Sequence, residues 1–159
     1  MRKSLNLVSA VIVYALVAVG CLEDNPSKIN EQSALQSGES LIGTKWKLVG
    51  FYDNDINTKI FKEAEPKDCK ECYILEFDTD STVTGYSTSN PTFGWYKIDY
   101  SLLILKFIQF HCVSEVGEIG DGNLYVEVIN KVNSFSFAEK ELKLFYNDKK
   151  NYLLFIRRQ

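Results

Sequence analysis

Between Thr44 and Phe155 apolar side chains recur at every second position in short runs, and clusters of turn-forming residues separate the runs. Period-two alternation puts one face of a segment in a core and the other in water, which is the signature of half-buried strands. Trp46 and Leu48 alternate with Lys45 and Lys47, and Tyr73, Leu75 and Phe77 alternate with Ile74 and Glu76. Val83 and Tyr86 mark a third strand, Thr82 to Ser87, and Tyr96, Ile98 and Tyr100 share one face of a fourth. Leu102 to Phe110 is apolar enough to predict a strand covered on both faces, at the centre of the core. Phe135 and Phe137, then Leu142, Leu144 and Tyr146, then Leu153 and Phe155 complete a meander of hairpins joined by polar turns. Asp53 to Lys70, rich in charge and turn residues, reads as a long surface loop. About eight short antiparallel strands predict a curled sheet or partly open barrel. The fold class is therefore α+β, mostly antiparallel β, with one short helix at most.

That helix is the ambiguous element. Leu124-Tyr125-Val126-Glu127-Val128-Ile129 carries β-branched residues, yet Leu124, Val128 and Val132 also make a helical stripe, with Asp121 placed to cap its start. Propensity alone leaves strand and helix open.

The N-terminus carries an address. Arg2 and Lys3 precede an apolar run from Leu5 to Gly20, and Glu23 and Asp24 follow at once. A charged start, a short apolar stretch and a small-residue exit describe a secretory signal peptide over residues 1–20. The run is shorter than the roughly 20 apolar residues that span a bilayer. Ala18-Val19-Gly20-Cys21 is similar to a lipobox, which makes Cys21 the lipidation site. Acyl chains there anchor the protein durably, since each buried methylene contributes about 0.8 kcal/mol. Residues 21–40 are polar and aperiodic, and read as a flexible tether from Cys21 to a domain over 41–159. Leu22-Glu23-Asp24 resembles the export signals of Bacteroidetes surface lipoproteins. The expected location is the bacterial cell envelope, at the outer membrane, on its periplasmic face or at the cell surface.

Removal of the signal leaves about 140 residues, enough for one domain with a core. Lysines and acids are interspersed and the net charge is −3, so no basic stripe for nucleic acid exists. Membrane contact through the anchor, and a protein or a small apolar ligand, are the expected partners.

The order of several motifs is familiar. Trp46 in Leu41-Ile42-Gly43-Thr44-Lys45-Trp46-Lys47-Leu48 is similar to the first strand of META/HslJ-like domains, and Gly85, Asn90, Gly94 and Tyr96 match that family's glycine, asparagine, glycine and tyrosine. Val132-Asn133-Ser134-Phe135, Leu142-Lys143-Leu144 and Leu153-Leu154-Phe155 resemble its ending. The resemblance implies a helix over Leu124 to Ile129 and an envelope or secreted lipoprotein with no established active site. It departs at Ser89, where many members carry a cysteine, so Cys112 lacks the partner it has there. Gly85 and Gly94 read as positions of a bulge or close backbone approach.

Candidate chemistry is sparse. Cys69 and Cys72 read as a disulfide staple, with Cys112 as an alternative partner for either. Their spacing also occurs in thiol oxidoreductases, but here it leads into a strand rather than a helix. A zinc site drawn from Cys69, Cys72, His111 and Cys112 would need adjacent strand residues on one face, which alternation forbids. No metal and no cofactor is expected. Glu115 and Glu118 read as solvated loop charges. Trp95, Phe93 and Tyr86 are the aromatics expected to form an exposed binding surface. The leading reading is a non-catalytic binding or envelope-maintenance module. The alternatives are a lipocalin-like carrier of an apolar ligand and a redox enzyme using Cys69 and Cys72.

Overall fold

The computed structural model describes residues 40–54 and 60–159. The predicted signal, Cys21 and nearly all of the tether lie outside the described residues, as do 55–59 of the Asp53–Lys70 segment.

The strands are β1 (Thr44–Asp53), β2 (Ile60–Glu63), β3 (Ile74–Phe77), β4 (Thr82–Tyr86), β5 (Pro91–Asp99), β6 (Ile104–Cys112), β7 (Ser134–Phe137), β8 (Glu141–Tyr146) and β9 (Asn151–Arg158). Helix α1 (Gly122–Ile129) lies between β6 and β7. Eight strands run antiparallel in the order β6-β5-β4-β3-β1-β9-β8-β7, and β2 pairs with the far half of β1. The Phe135 N–H donates to the Leu103 carbonyl at 3.1 Å, so the two ends of the sheet meet and the barrel is nearly closed. The curled sheet with one short helix agrees with the expected fold class. Strand β2 is an addition to it, inside the segment read as loop.

Alternation decides what fills the interior. Trp46, Leu48, Leu75, Phe77, Val83, Tyr96, Leu105, Phe107, Phe135, Leu144 and Phe155 all point inward and are buried. One end is closed by the chain entering the domain. The Leu41 N–H donates to the Tyr100 hydroxyl at 3.0 Å, and the Trp46 Nε1–H donates to Thr44 Oγ1 at 2.6 Å. Helix α1 plugs the opposite end. Tyr125 is fully buried there, edge-on to Tyr73 and Phe110 with ring centroids 5.4 and 5.9 Å away, and its hydroxyl donates to the Ile74 carbonyl at 3.2 Å. Burial pushes the Tyr125 hydroxyl far above its ordinary value, so it stays a donor. The Asn130 amide after the helix grips β6, accepting from the Phe110 N–H at 3.1 Å and donating to the Phe110 carbonyl at 2.7 Å.

Two expectations are corrected. Leu102 to Phe110 is not doubly covered: β6 is the edge strand at the seam, and Leu102 and Ile108 are 66% and 38% exposed. Leu105, Phe107 and Phe110 face the core, while Lys106 and Ile108 face out. Asp121 precedes the helix but does not cap it. Its backbone lies at φ −98°, ψ 16°, away from the extended cap geometry, and its carboxylate turns instead to the Glu65 N–H at 3.0 Å and to Lys62.

Gly85 and Gly94 behave as predicted. A Cβ on Gly85 would sit 1.9 Å from the Ile74 carbonyl oxygen, and one on Gly94 would sit 2.8 Å from Phe110 Cα. Between Phe93 and Trp95 the register advances two residues on β5 but three on β6, so Gly94 lies opposite a bulge in β6.

Candidate functional site

The outward side chains of β1 and β3 to β6 form rows across the sheet. Register places Lys45 beside Glu76, Glu76 beside Thr84, Thr84 beside Phe93 and Phe93 beside His111. A second row runs from Ile74 to Tyr86 to Pro91. Between them lies an open groove of about 490 Å³, with Phe93, Tyr86 and Val113 at its apolar end and Lys45, Glu71 and Glu76 at its charged end. Small residues, Thr84 and Gly85, form the low ground between these taller side chains.

All three aromatics singled out by sequence lie on this outer face. Tyr86 and Trp95 are exposed, and Phe93 is partly covered because its ring meets Trp95 edge-on at 4.9 Å. The Tyr86 hydroxyl donates to the Ser89 carbonyl at 3.1 Å, which fixes the ring upright. Trp95 stands beside the groove rather than in its lining.

Next to the groove, loop 113–121 docks onto the β4–β5 turn through Glu118. The Glu118 carboxylate accepts from the Ser87 hydroxyl at 2.6 Å, from the Thr88 and Ser89 N–H groups at 3.0 and 3.2 Å, and from the Thr88 hydroxyl and the Asn90 amide. The Cys112 thiol also donates to it, at 3.3 Å. Burial alone would raise the Glu118 carboxyl, but the bonds from Asn90, Ser87 and Thr88 outweigh it and hold the group at about 2. Glu118 is thus the hub of the loop rather than a solvated charge, whereas Glu115 is exposed as expected. The Glu118 carboxylate bridges Ser89 and Cys112. The sequence signal was available: Ser87-Thr88-Ser89-Asn90 is a run of small donors in need of an acceptor.

The cysteines divide. The Cys69 and Cys72 sulfurs are 1.98 Å apart, at disulfide distance, and Cys112 is free. Lys47 caps the Cys69–Cys72 turn, donating from Nζ to the Cys69 carbonyl at 2.7 Å and to the Cys72 carbonyl. Burial, then the nearby Arg158, lowers the Lys47 ammonium below its ordinary value. Burial raises the Cys112 thiol, which leaves it protonated and weakly nucleophilic at neutral pH. His111 is exposed, and its Nδ1 lies 2.6 Å from the Gln109 carbonyl. Cys69, Cys72, His111 and Cys112 do not converge, and no group of metal-ligating side chains is assembled among the described residues.

No family model matches the sequence. A Tannerella forsythia protein provisionally named as a lipoprotein is 24% identical over 155 residues, covering 98% of this chain and 96% of that protein. A crystal structure of a DUF4847 family protein from Bacteroides vulgatus aligns with a TM-score of 0.57 at 18% identity, over 73% of this chain and 93% of the other. An NMR structure of a Burkholderia xenovorans protein aligns with a TM-score of 0.61 at 16% identity, over 82% and 89% respectively. At such identities the two solved structures speak for the fold alone. The chain is therefore similar, over nearly its whole length, to a Tannerella protein, and it shares its barrel with proteins of other bacteria.

Proposed function

We propose that this chain is a lipid-anchored envelope protein of the META/HslJ-like type, whose barrel works through contact rather than catalysis. The observation that carries the reading is the pairing of a filled interior with an aromatic outer face. Trp46, Tyr96, Tyr125 and Phe155 occupy the space in which a carrier would hold its ligand, so an apolar cargo inside the barrel is disfavoured. Tyr86, Phe93 and Trp95 on the outside are the kind of residues that dominate contact surfaces. The tether would leave the barrel at Ser40 and Leu41, beside Tyr100, at the end opposite the Glu118 loop. The groove then stays accessible on an anchored molecule. The name of the Tannerella relative supports the anchor, and the outer membrane is the proposed location.

Cys21→Ala tests the anchor. The variant is expected in the soluble fraction, with the wild type in membranes; unchanged fractionation would refute lipidation at Cys21.

The thiol-enzyme alternative is tested through the Cys69–Cys72 pair. Cys72 is 1% exposed and the pair sits in a turn capped by Lys47, which suits a staple. Cys72→Ser should lower stability by about 2 kcal/mol, the value for so short a closed loop. A wild-type turnover of a thiol or disulfide substrate that vanishes in Cys72→Ser would reverse this assignment.

A further inference from the structure

We propose that the groove across the outer face of β1, β3, β4 and β5 binds a neutral oligosaccharide; this rests on the contact-surface reading above. Its charges are already matched within the protein. Lys45 Nζ lies 3.0 Å from Glu76, and Arg158 lies 3.4 Å from Glu71. A charged ligand would have to compete with one of these pairs. A polyol need not, because an ammonium carries three donors and a carboxylate about four acceptor sites, and each pair uses only some of them.

The rest of the groove fits the same chemistry. Phe93, Tyr86 and Pro91 offer flat apolar surfaces for the C–H faces of sugar rings. Thr84 adds a hydroxyl midway. Three interstrand steps separate Lys45 from Phe93, about 14 Å at ~4.8 Å per step, a length suited to a short oligosaccharide. The volume also falls in the range of small-ligand sites.

Other occupants fit less well. An acyl chain laid here would desolvate the ion pairs at one end without replacing their hydrogen bonds. A peptide added as a strand needs a free sheet edge, whereas this is a sheet face whose backbone is already paired.

The test is titration of the purified full chain with cellotetraose, maltotetraose, mannotriose and tri-N-acetylchitotriose at millimolar concentrations, followed by tryptophan emission. The chain has two tryptophans, and Trp46 is buried, so a change reports Trp95 beside Phe93. The expected result is saturable binding of at least one sugar, insensitive to added salt, with Phe93→Ala weakening it about tenfold. Thr84→Val, which keeps the shape of the groove, should also weaken it. No saturable change with any of the four sugars overturns the proposal, as does binding that survives both substitutions. A photo-crosslinker in place of Ile108 separates the two readings. If it joins a defined envelope protein while no sugar binds, the contact surface stands and the oligosaccharide falls. If neither occurs, both fall.

Discussion

Glu118→Ala is expected to lower the stability of the domain by about 2–4 kcal/mol, read as a shift in the urea midpoint at neutral pH. The reason is the number of donors left behind. Ser87, Thr88 through both its hydroxyl and its N–H, Ser89 and Asn90 all direct hydrogens at this one carboxylate. Charge-assisted bonds of this kind contribute more than neutral ones, and an unsatisfied buried donor carries its full desolvation cost. Partial exposure of Glu118 lets water replace some of these bonds, which keeps the effect below the sum of its parts.

The same site imposes a pH dependence of definite sign. The Glu118 carboxyl lies at about 2 in the folded chain against an ordinary value of 4.5. The unfolded chain therefore takes up the proton first as acid is added. The contribution is fully present above about pH 4.5 and disappears as pH falls toward about 2. Glu118→Gln, which cannot ionise, should flatten the stability profile in that window. A variant as acid-sensitive as wild type would show that other carboxylates dominate acid unfolding.

Gly85→Ala is expected to cost about 3 kcal/mol, the upper part of the range for overpacking, although it adds one methyl group to a strand. The added Cβ would meet the Ile74 carbonyl oxygen at 1.9 Å, and that oxygen is backbone, unable to swing aside as a side chain could. Moving it would also disturb the Tyr125 hydroxyl bonded to it, and with that the helix plug. Thermal unfolding measures the loss. An alanine variant as stable as wild type would mean that β3 and β4 can separate without penalty, contrary to the tight pairing of Leu75 with Gly85.

The sequence spoke well for what is local. Alternation at Trp46 and Leu48, at Leu75 and Phe77, and at Leu142 and Leu144 identified which side chains enter the core, because a strand's pleat puts every second residue on one face. The close approaches at Gly85 and Gly94 were legible for a similar reason, since a glycine inside a strand pattern has few other uses. The exposed aromatics were legible in kind, as Tyr96 and Ile98 claimed the core face of β5 and left Phe93 and Trp95 outside.

What the pattern could not carry is the consequence of closure. Whether Leu102 to Phe110 is central or at the edge depends on strand order, and only the meeting of Leu103 with Phe135 makes β6 the seam. Glu118 was misread because its donors lie 28 to 31 positions earlier in the chain and come within reach only when the loop folds back over the β4–β5 turn. Asp121 was read as a cap because caps are local, yet Glu65 and Lys62 claimed its carboxylate from 56 and 59 positions away. The groove likewise exists only once β1, β3, β4 and β5 lie side by side. Sequence by itself determined every strand but β2, the buried faces of the alternating strands and the glycine contacts, since these depend on neighbours a few residues apart. Tertiary structure alone decided the seam, the Glu118 hub and the groove, because each joins groups that the chain keeps distant until the barrel closes.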